Sequence, residues 1–406
     1  MTLDTDFARA QFPAFSEQSL ADWAHFENAG GSYACGQVIS RLTRFYTERK
    51  LQPYGRAAPS AAGGEEMDEA RTRLAGLLNV APKELSFGPS TTQNAYVLAQ
   101  AFRQHLKPGD AIIVTDQDHE ANTGPWRRLE ETGTEIRIWP IDPETGALDR
   151  AVLADLLDER VRLVAFPHCS NIIGTANPVS DIVADVHAAG ALACVDGVSY
   201  APHGLPDVAA MDADIYLFST YKTYGPHLGV MILRNGVAAH LPNQGHWFNG
   251  ADPTKRFTPA GPDHAQIAAA AGIADYIDAL DAHHFGDDAA PAVRGARVAR
   301  LMGEAERDRL APLLGYLRER NDIRLIGGTG PDKVPTVAMH HTRPGAELAH
   351  ELAEHGIMAG GGDFYANRLL DALGIDPAHG VLRVSFVHYT SDAEVTHLIE
   401  ALDRVL

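Results

Sequence analysis

Between residues 84 and 233 the chain alternates short apolar runs with stretches of helical period, and that alternation leaves few folds open. The runs are Glu84–Phe87, Asp110–Thr115, Glu135–Pro140, Val161–Pro167, Ala191–Val195, Ile215–Ser219 and Gly229–Leu233. They are rich in valine, isoleucine and leucine with little polar alternation, as strands buried on both faces are. Helical stretches lie among them. Glu66–Leu78 puts Met67, Ala70, Leu74 and Leu77 on one face, and Gln93–His105, Asn122–Thr132, Ala151–Glu159 and Ser180–Ala189 read similarly. The pattern predicts an α/β fold, a mainly parallel seven-stranded sheet with helices on both faces. Ligands of such sheets bind beyond the carboxyl ends of the strands, so the residues after each run are the place to look for chemistry. After about residue 270 the texture changes. A helical pattern over Ile267–Leu280 leads to a polar break at His283–Asp288, a second helix over Val293–Arg320 and strands near Ile323–Ile326 and Val334–Met339. Then come a helix at Ala346–His355, a glycine-rich turn at Gly360–Gly362, a strand at Val381–Phe386 and a closing helix at Asp392–Val405. This predicts a smaller α+β C-terminal domain. We expect residues 16–275 to form the large domain and residues 1–15 with 276–406 the small one.

Charge and cysteine usage narrow the function classes. The 406 residues carry 34 basic and 53 acidic side chains, a formal net charge of −19. Such a surface repels phosphate backbones and anionic lipid, so neither nucleic acid nor a membrane is an expected partner. The three cysteines, Cys35, Cys169 and Cys194, form no CxxC pair, which argues against a disulfide framework and for a reducing compartment. The N-terminal residues lack a basic segment followed by an apolar one, and no run of about 18 apolar residues occurs, so a cytoplasmic location is expected. No metal site is expected, since the 19 histidines show neither HExxH nor paired Cys–His spacing. A dinucleotide site is disfavoured by the lack of GxGxxG after the first strand.

The chemistry gathers in Ala191–Gly229. Asp196 closes one apolar run and Lys222 closely follows another, which places both at the carboxyl edge of the sheet. A plain salt bridge is one reading. Yet Lys222 is the sole cation in an apolar, aromatic and glycine-rich neighbourhood, and a desolvated lysine has a lowered pKa and a free amine. An amine and a carboxylate so placed suit pyridoxal 5'-phosphate, whose aldehyde the amine captures and whose ring nitrogen the acid keeps protonated. Gly88-Pro89-Ser90-Thr91-Thr92-Gln93-Asn94 follows the first strand and opens a helix. It reads as an ordinary N-cap or as a phosphate cup.

These residues carry a resemblance. VDG…APHG…DADIYLFSTYKTYGPHLGV, with GPSTTQNA, DHEANTGPW and HCSNIIGTANP in the same order, resembles fold-type I pyridoxal-phosphate enzymes of aminotransferase class V. Within that class the cysteine-desulfurase-like branch is nearest, over about Phe26–Tyr389. The resemblance implies that Lys222 is the Schiff-base lysine, Asp196 the partner of the pyridine nitrogen and His119 the residue stacked on the ring. Thr91, Thr92, Gln93 and Ser219 are implied at the phosphate, and Asn171 beside the phenolic oxygen. Arg383 is implied as the clamp on the substrate α-carboxylate, which a bidentate guanidinium suits. His264 falls in a segment that reaches a neighbouring subunit's phosphate, and Asn28 in one that borders the active site. A homodimer acting on a small amino acid follows from the same likeness.

The departures bear on the reaction. Tyr221 stands where desulfurases carry histidine before the lysine, and is similar to kynureninase-like members, where it touches the phosphate. Ser199 stands in place of glutamine and is counted among the cofactor contacts. The region that should carry a mobile-loop cysteine reads HGIMAGGGDFYANRLL, without one. Persulfide-type desulfuration is therefore not expected. Transamination, a cysteine-independent β-elimination, epimerisation and a non-catalytic cofactor-binding role stay open. The Gly360–Gly362 stretch reads either as slack or as a hinge that brings Phe364 or Tyr365 onto the ligand.

Overall fold

The computed structural model describes residues 2–261 and 263–406; Met1, in the expected 1–15 segment, and Pro262, beside His264, lie outside the described residues. A two-residue strand, β1 (Ala24–His25), precedes the seven strands of the main sheet: β2 (Leu85–Gly88), β3 (Ala111–Thr115), β4 (Glu135–Trp139), β5 (Val161–Pro167), β6 (Leu192–Asp196), β7 (Ile215–Ser219) and β8 (Gly229–Leu233). Their order is β2-β8-β7-β6-β5-β3-β4. Every pairing among β3–β7 is parallel, and β8 runs antiparallel to both β7 and β2. β5, β7 and β8 have the bounds expected from the sequence; the others shift by a residue.

The unbroken apolar runs are explained by the two faces. On β3, Ala111 and Ile113 enter one core while Ile112 and Val114 enter another. On β6, Ala193 and Val195 point one way and Cys194 the other. Successive side chains alternate across a strand, so a sheet covered by helices on both sides needs apolar residues at every position. The chain passes from β3 outward to β4, then returns to β5 on the far side of β3. That reversal opens a crevice at the carboxyl edge between β3 and β5.

The C-terminal residues form a second sheet, β9 (Ile323–Ile326), β10 (Thr336–His341), β12 (Gly360–Gly362) and β13 (Val381–Ser385), in the order β12-β13-β10-β9 and antiparallel throughout. β11 (Ile357–Met358) pairs instead with β1 in parallel register. Helices Pro291–Arg318, Gly345–Glu354 and Asp392–Val405 pack on the second sheet around Leu313, Leu348 and Leu398. The glycine tract expected as a turn is thus an edge strand. Its glycines are required because the N-terminus of helix Gly345–Glu354 lies directly on it: a Cβ on Gly361 would collide with the Gly345 carbonyl. The single helix expected over Ile267–Leu280 is two, His264–Ala269 and Ala271–His284. N-terminal residues tie both bodies together. Phe12 packs edge-on to Tyr224, Tyr276 and Tyr389, while Arg9 binds Glu394 at 2.6 Å. Among the described residues no helix is long and apolar enough to cross a membrane.

Candidate functional site

A cavity of about 290 Å³ opens at the carboxyl edge of the main sheet, and the ends of five strands supply its walls. After β2 come Ser90, Thr91 and Thr92; after β3, Asp118 and His119; after β5, Cys169, Ser170 and Asn171. β6 supplies Asp196 and, just beyond it, Ser199. β7 supplies Ser219 and the turn that follows it, with Tyr221 and Lys222.

The Ser-Thr wall is built by a helix start. Ser90 caps helix Thr91–His105, accepting from Gln93 N at 3.1 Å. Thr91 and Ser219 share a hydrogen bond of 2.7 Å across the strand ends. The loop can approach β8 because Gly229 has no side chain; a Cβ there would run into Ser90 and Thr91 backbone. Unpaired helix amides beside hydroxyls make an anion site.

Asp196 ends β6, and its Oδ1 accepts from Val198 N at 2.8 Å. Lys222 closes a short 3-10 turn after β7. Ser32 braces that turn, donating to Tyr221 O at 3.1 Å and accepting from Tyr224 N at 2.7 Å. Asp196 and Lys222 are both buried. Burial lowers the Lys222 amine to about 8, helped by the charge on Arg383 and opposed by Asp196 and Glu27. Burial raises the Asp196 carboxyl, against the Val198 amide and Lys222. The two feel each other's charge but are linked by no side-chain hydrogen bond.

His119 caps helix Glu120–Arg127, and Ala121 N donates to its Nδ1 at 3.0 Å. That bond places the ring proton on Nε2. Burial first, then Lys222 and Arg383, push its pKa down to about 4, so the ring is neutral at pH 7. Asn171 donates Nδ2 to Phe364 O at 2.9 Å, and its Oδ1 is buried without a partner.

Nine of the residues expected from the sequence line this one cavity: Thr91, Thr92, His119, Asn171, Asp196, Ser199, Ser219, Tyr221 and Lys222. Four do not. Gln93 is exposed on the capped helix and contributes its backbone amide to Ser90. His264 heads its own helix away from the cavity, beside Lys50 and Asp263. Asn28 is buried and reaches Lys222 only through a much smaller hollow; its Oδ1 accepts from Tyr389 OH at 3.0 Å. Arg383 on β13 is buried close to Lys222, paired with Glu27 and covered by the Phe364 ring at 3.7 Å. Sequence reasoning missed Asp118 and Glu27. Asp118 accepts from Asn122 Nδ2 at 2.9 Å, and burial together with Asp196 raises its carboxyl well above normal. Asp118 is one of three acids in DQDHE, and only the bend after β3 selects which of them turns inward.

The donor set fits pyridoxal 5'-phosphate. A buried amine of lowered pKa and a buried carboxyl share one cavity, a hydroxyl-rich helix start stands at its rim, and an orphaned amide oxygen at Asn171 awaits a donor. The model described as Aminotransferase class-V matches residues 24–279. This chain belongs to that family. The class V assignment agrees with individual relatives. The aminotransferase-like protein FGM3 of Gibberella zeae is 36% identical over 414 residues, covering 98% of this chain and 97% of its own. A cysteine desulfurase of Cronobacter sakazakii is 29% identical over 430 residues, covering 100% and 99%. The crystal structure of the Escherichia coli cysteine desulfurase CsdA matches with a TM-score of 0.83 at 25% identity, over 100% of this chain and 99% of that one. The class V chain is thus an enzyme of a pyridoxal-phosphate-dependent family, with the type I architecture of that family.

The lowered pKa of Lys222 has a measurable consequence. Only the uncharged amine attacks an aldehyde, so any imine that Lys222 forms with pyridoxal phosphate should form faster as pH rises, levelling off above about 8. Stopped-flow absorbance between pH 6 and 9.5 measures this; a midpoint near 10.5 would mean that burial leaves the amine unperturbed.

Proposed function

We propose that this class V enzyme binds pyridoxal 5'-phosphate at Lys222 and acts on an α-amino acid by abstraction of its α-proton, leading to transamination or to a cysteine-independent β-elimination. The supporting observation is the pairing of Lys222 and Asp196 on the walls of one cavity rimmed by Ser90, Thr91 and Thr92. Bound there, the cofactor would supply an aldehyde for amine capture and a ring that stabilises negative charge at the substrate α-carbon.

The protein's own groups divide the remaining work. Hydroxyls of Thr91 and Ser219 and the amides at the start of helix Thr91–His105 would hold the phosphate. Asp196, as a buried carboxylate seeking a counter-charge, would favour the protonated ring nitrogen of the bound cofactor. Lys222 Nζ would be the base at the α-carbon; an amine lowered to about 8 suits that task near neutral pH. His119 presents a neutral ring with its proton on Nε2. Arg383 takes the α-carboxylate. We also propose a homodimer, with His264 facing the partner's site.

The cysteine-independent reading rests on burial. Cys35, Cys169 and Cys194 are all free and buried. Burial pushes Cys35 and Cys169 up to about 12 and Cys194 well above its usual range. A thiol so perturbed is protonated at pH 7 and a poor nucleophile. The deciding experiment incubates holoenzyme, and a variant with all three cysteines replaced, with a panel of amino acids. Keto acid formed only with an amino acceptor identifies transamination; ammonia or sulfide released without one identifies elimination. The cysteine-free variant should keep turnover within about threefold. Loss of activity in Cys169→Ser alone would overturn this part of the proposal, and spectral silence with every amino acid would favour a non-catalytic binder.

A further inference from the structure

The Arg383 guanidinium already carries a carboxylate. Glu27 Oε1 accepts from its Nη2 at 2.6 Å, and its Nη1 donates to Asn171 O at 3.1 Å. Two polar atoms of this pair are buried and unpartnered, Arg383 Nε and Glu27 Oε2. The Glu27 carboxylate lies in a cradle that two glycines leave open. A Cβ on Gly30 would stand 2.8 Å from Oε1, and one on Gly360 would stand 2.6 Å from Oε2. The protein therefore makes room for this carboxylate, holds one oxygen and leaves the other without a donor.

The charges around Arg383 show what would satisfy it. Glu27 and Arg383 cancel each other, and the nearby Lys222 amine is offset by Asp196. A substrate α-carboxylate that reaches the buried Arg383 Nε from the adjoining cavity adds one uncompensated negative charge beside a buried guanidinium and a partly exposed Glu27, where charge without a partner is costly. A neutral side chain leaves both that excess and the orphaned Oε2. A side chain ending in an amino or guanidino group removes both, because it donates to Oε2 and restores neutrality. Since Glu27 and Arg383 touch, the side chain must fold back toward its own carboxylate end.

We propose that Glu27 is a specificity-determining residue that selects α-amino acids whose side chain ends in a cationic hydrogen-bond donor, while Arg383 takes the α-carboxylate. The inference rests on the amino-acid reading above. The test is a visible-absorbance titration of holoenzyme with 2,4-diaminobutyrate, ornithine and arginine against 2-aminobutyrate and norvaline. Wild type should bind the cationic set at least tenfold more tightly than neutral compounds of matching length. Glu27→Gln, which keeps the shape and removes the charge, should reduce that preference to within twofold; Glu27→Asp should retain it. Equal affinities for ornithine and norvaline in wild type would overturn the inference. So would a Glu27→Gln variant that shifts both equally, since Glu27 would then only compete with substrate for Arg383. If Glu27→Gln does not fold, the wild-type ratio of ornithine to norvaline affinity still decides, since a ratio near one overturns the inference. A holoenzyme whose spectrum responds to no amino acid would instead overturn the amino-acid reading itself, and a protein that takes up no cofactor would overturn the assignment of Lys222.

Discussion

Lys222→Ala is expected to yield a folded, colourless protein whose turnover is lower by more than about 10³-fold, because one amine both anchors the cofactor and serves as base. Borohydride treatment of wild type should fix the cofactor to the peptide containing Lys222; the variant should give no such adduct. The fold should tolerate the change. Burial already disfavours the charged form of this amine, so its removal relieves a desolvation cost and leaves no partner charge stranded in an ion pair. Apoprotein melting temperatures of wild type and variant should lie within a few degrees. An undiminished borohydride adduct in Lys222→Ala would assign the link to another lysine, and Lys333, buried and also lowered to about 8, would be the first to examine.

Arg383→Lys is expected to raise KM for amino acids by roughly 100-fold while leaving cofactor uptake unchanged. Lysine retains the charge but cannot make the forked contact. Losing one or two charge-assisted hydrogen bonds costs about 1.5–3 kcal/mol each, and each 1.4 kcal/mol is about tenfold. Arg383→Ala should differ in kind. It leaves the partly exposed Glu27 carboxylate without its partner, at a cost below the roughly 3–5 kcal/mol of breaking a fully buried pair. That variant should melt well below wild type, and adding Glu27→Gln should restore much of the loss. Unchanged kinetics in Arg383→Lys would remove the clamp role; a melting temperature that Glu27→Gln fails to rescue would show that the pair does not hold the two sheets' junction together.

The strand ends carried most of what could be read without coordinates. Asp196 and Ser219 are the last residues of β6 and β7, and Lys222 follows three positions later. A parallel sheet brings such residues to one edge whatever the loops do. Ser90, Thr91 and Thr92 were legible for a similar local reason, since a cap and a helix start define their own geometry. Gly360–Gly362 was not. Three glycines have the composition of a turn, and only the packing of helix Gly345–Glu354 onto Gly361 shows why they form a strand. Glu27 was invisible too. It sits 356 positions from Arg383, between β1 and the cavity wall, and no periodicity links a residue in that segment to one on β13.

The alternation of apolar runs and helices determined, by itself, a two-faced sheet and the edge at which an amine, a carboxyl and a phosphate cup would meet, because strand period and helix capping are local properties of the chain. Tertiary structure alone decided that Arg383 arrives already paired, that Phe364 lies over it, and that Asp118 stands beside Asp196. Those facts depend on how the second sheet sits against the first, and such long-range contacts follow from shape and charge across the whole molecule rather than from neighbours in sequence.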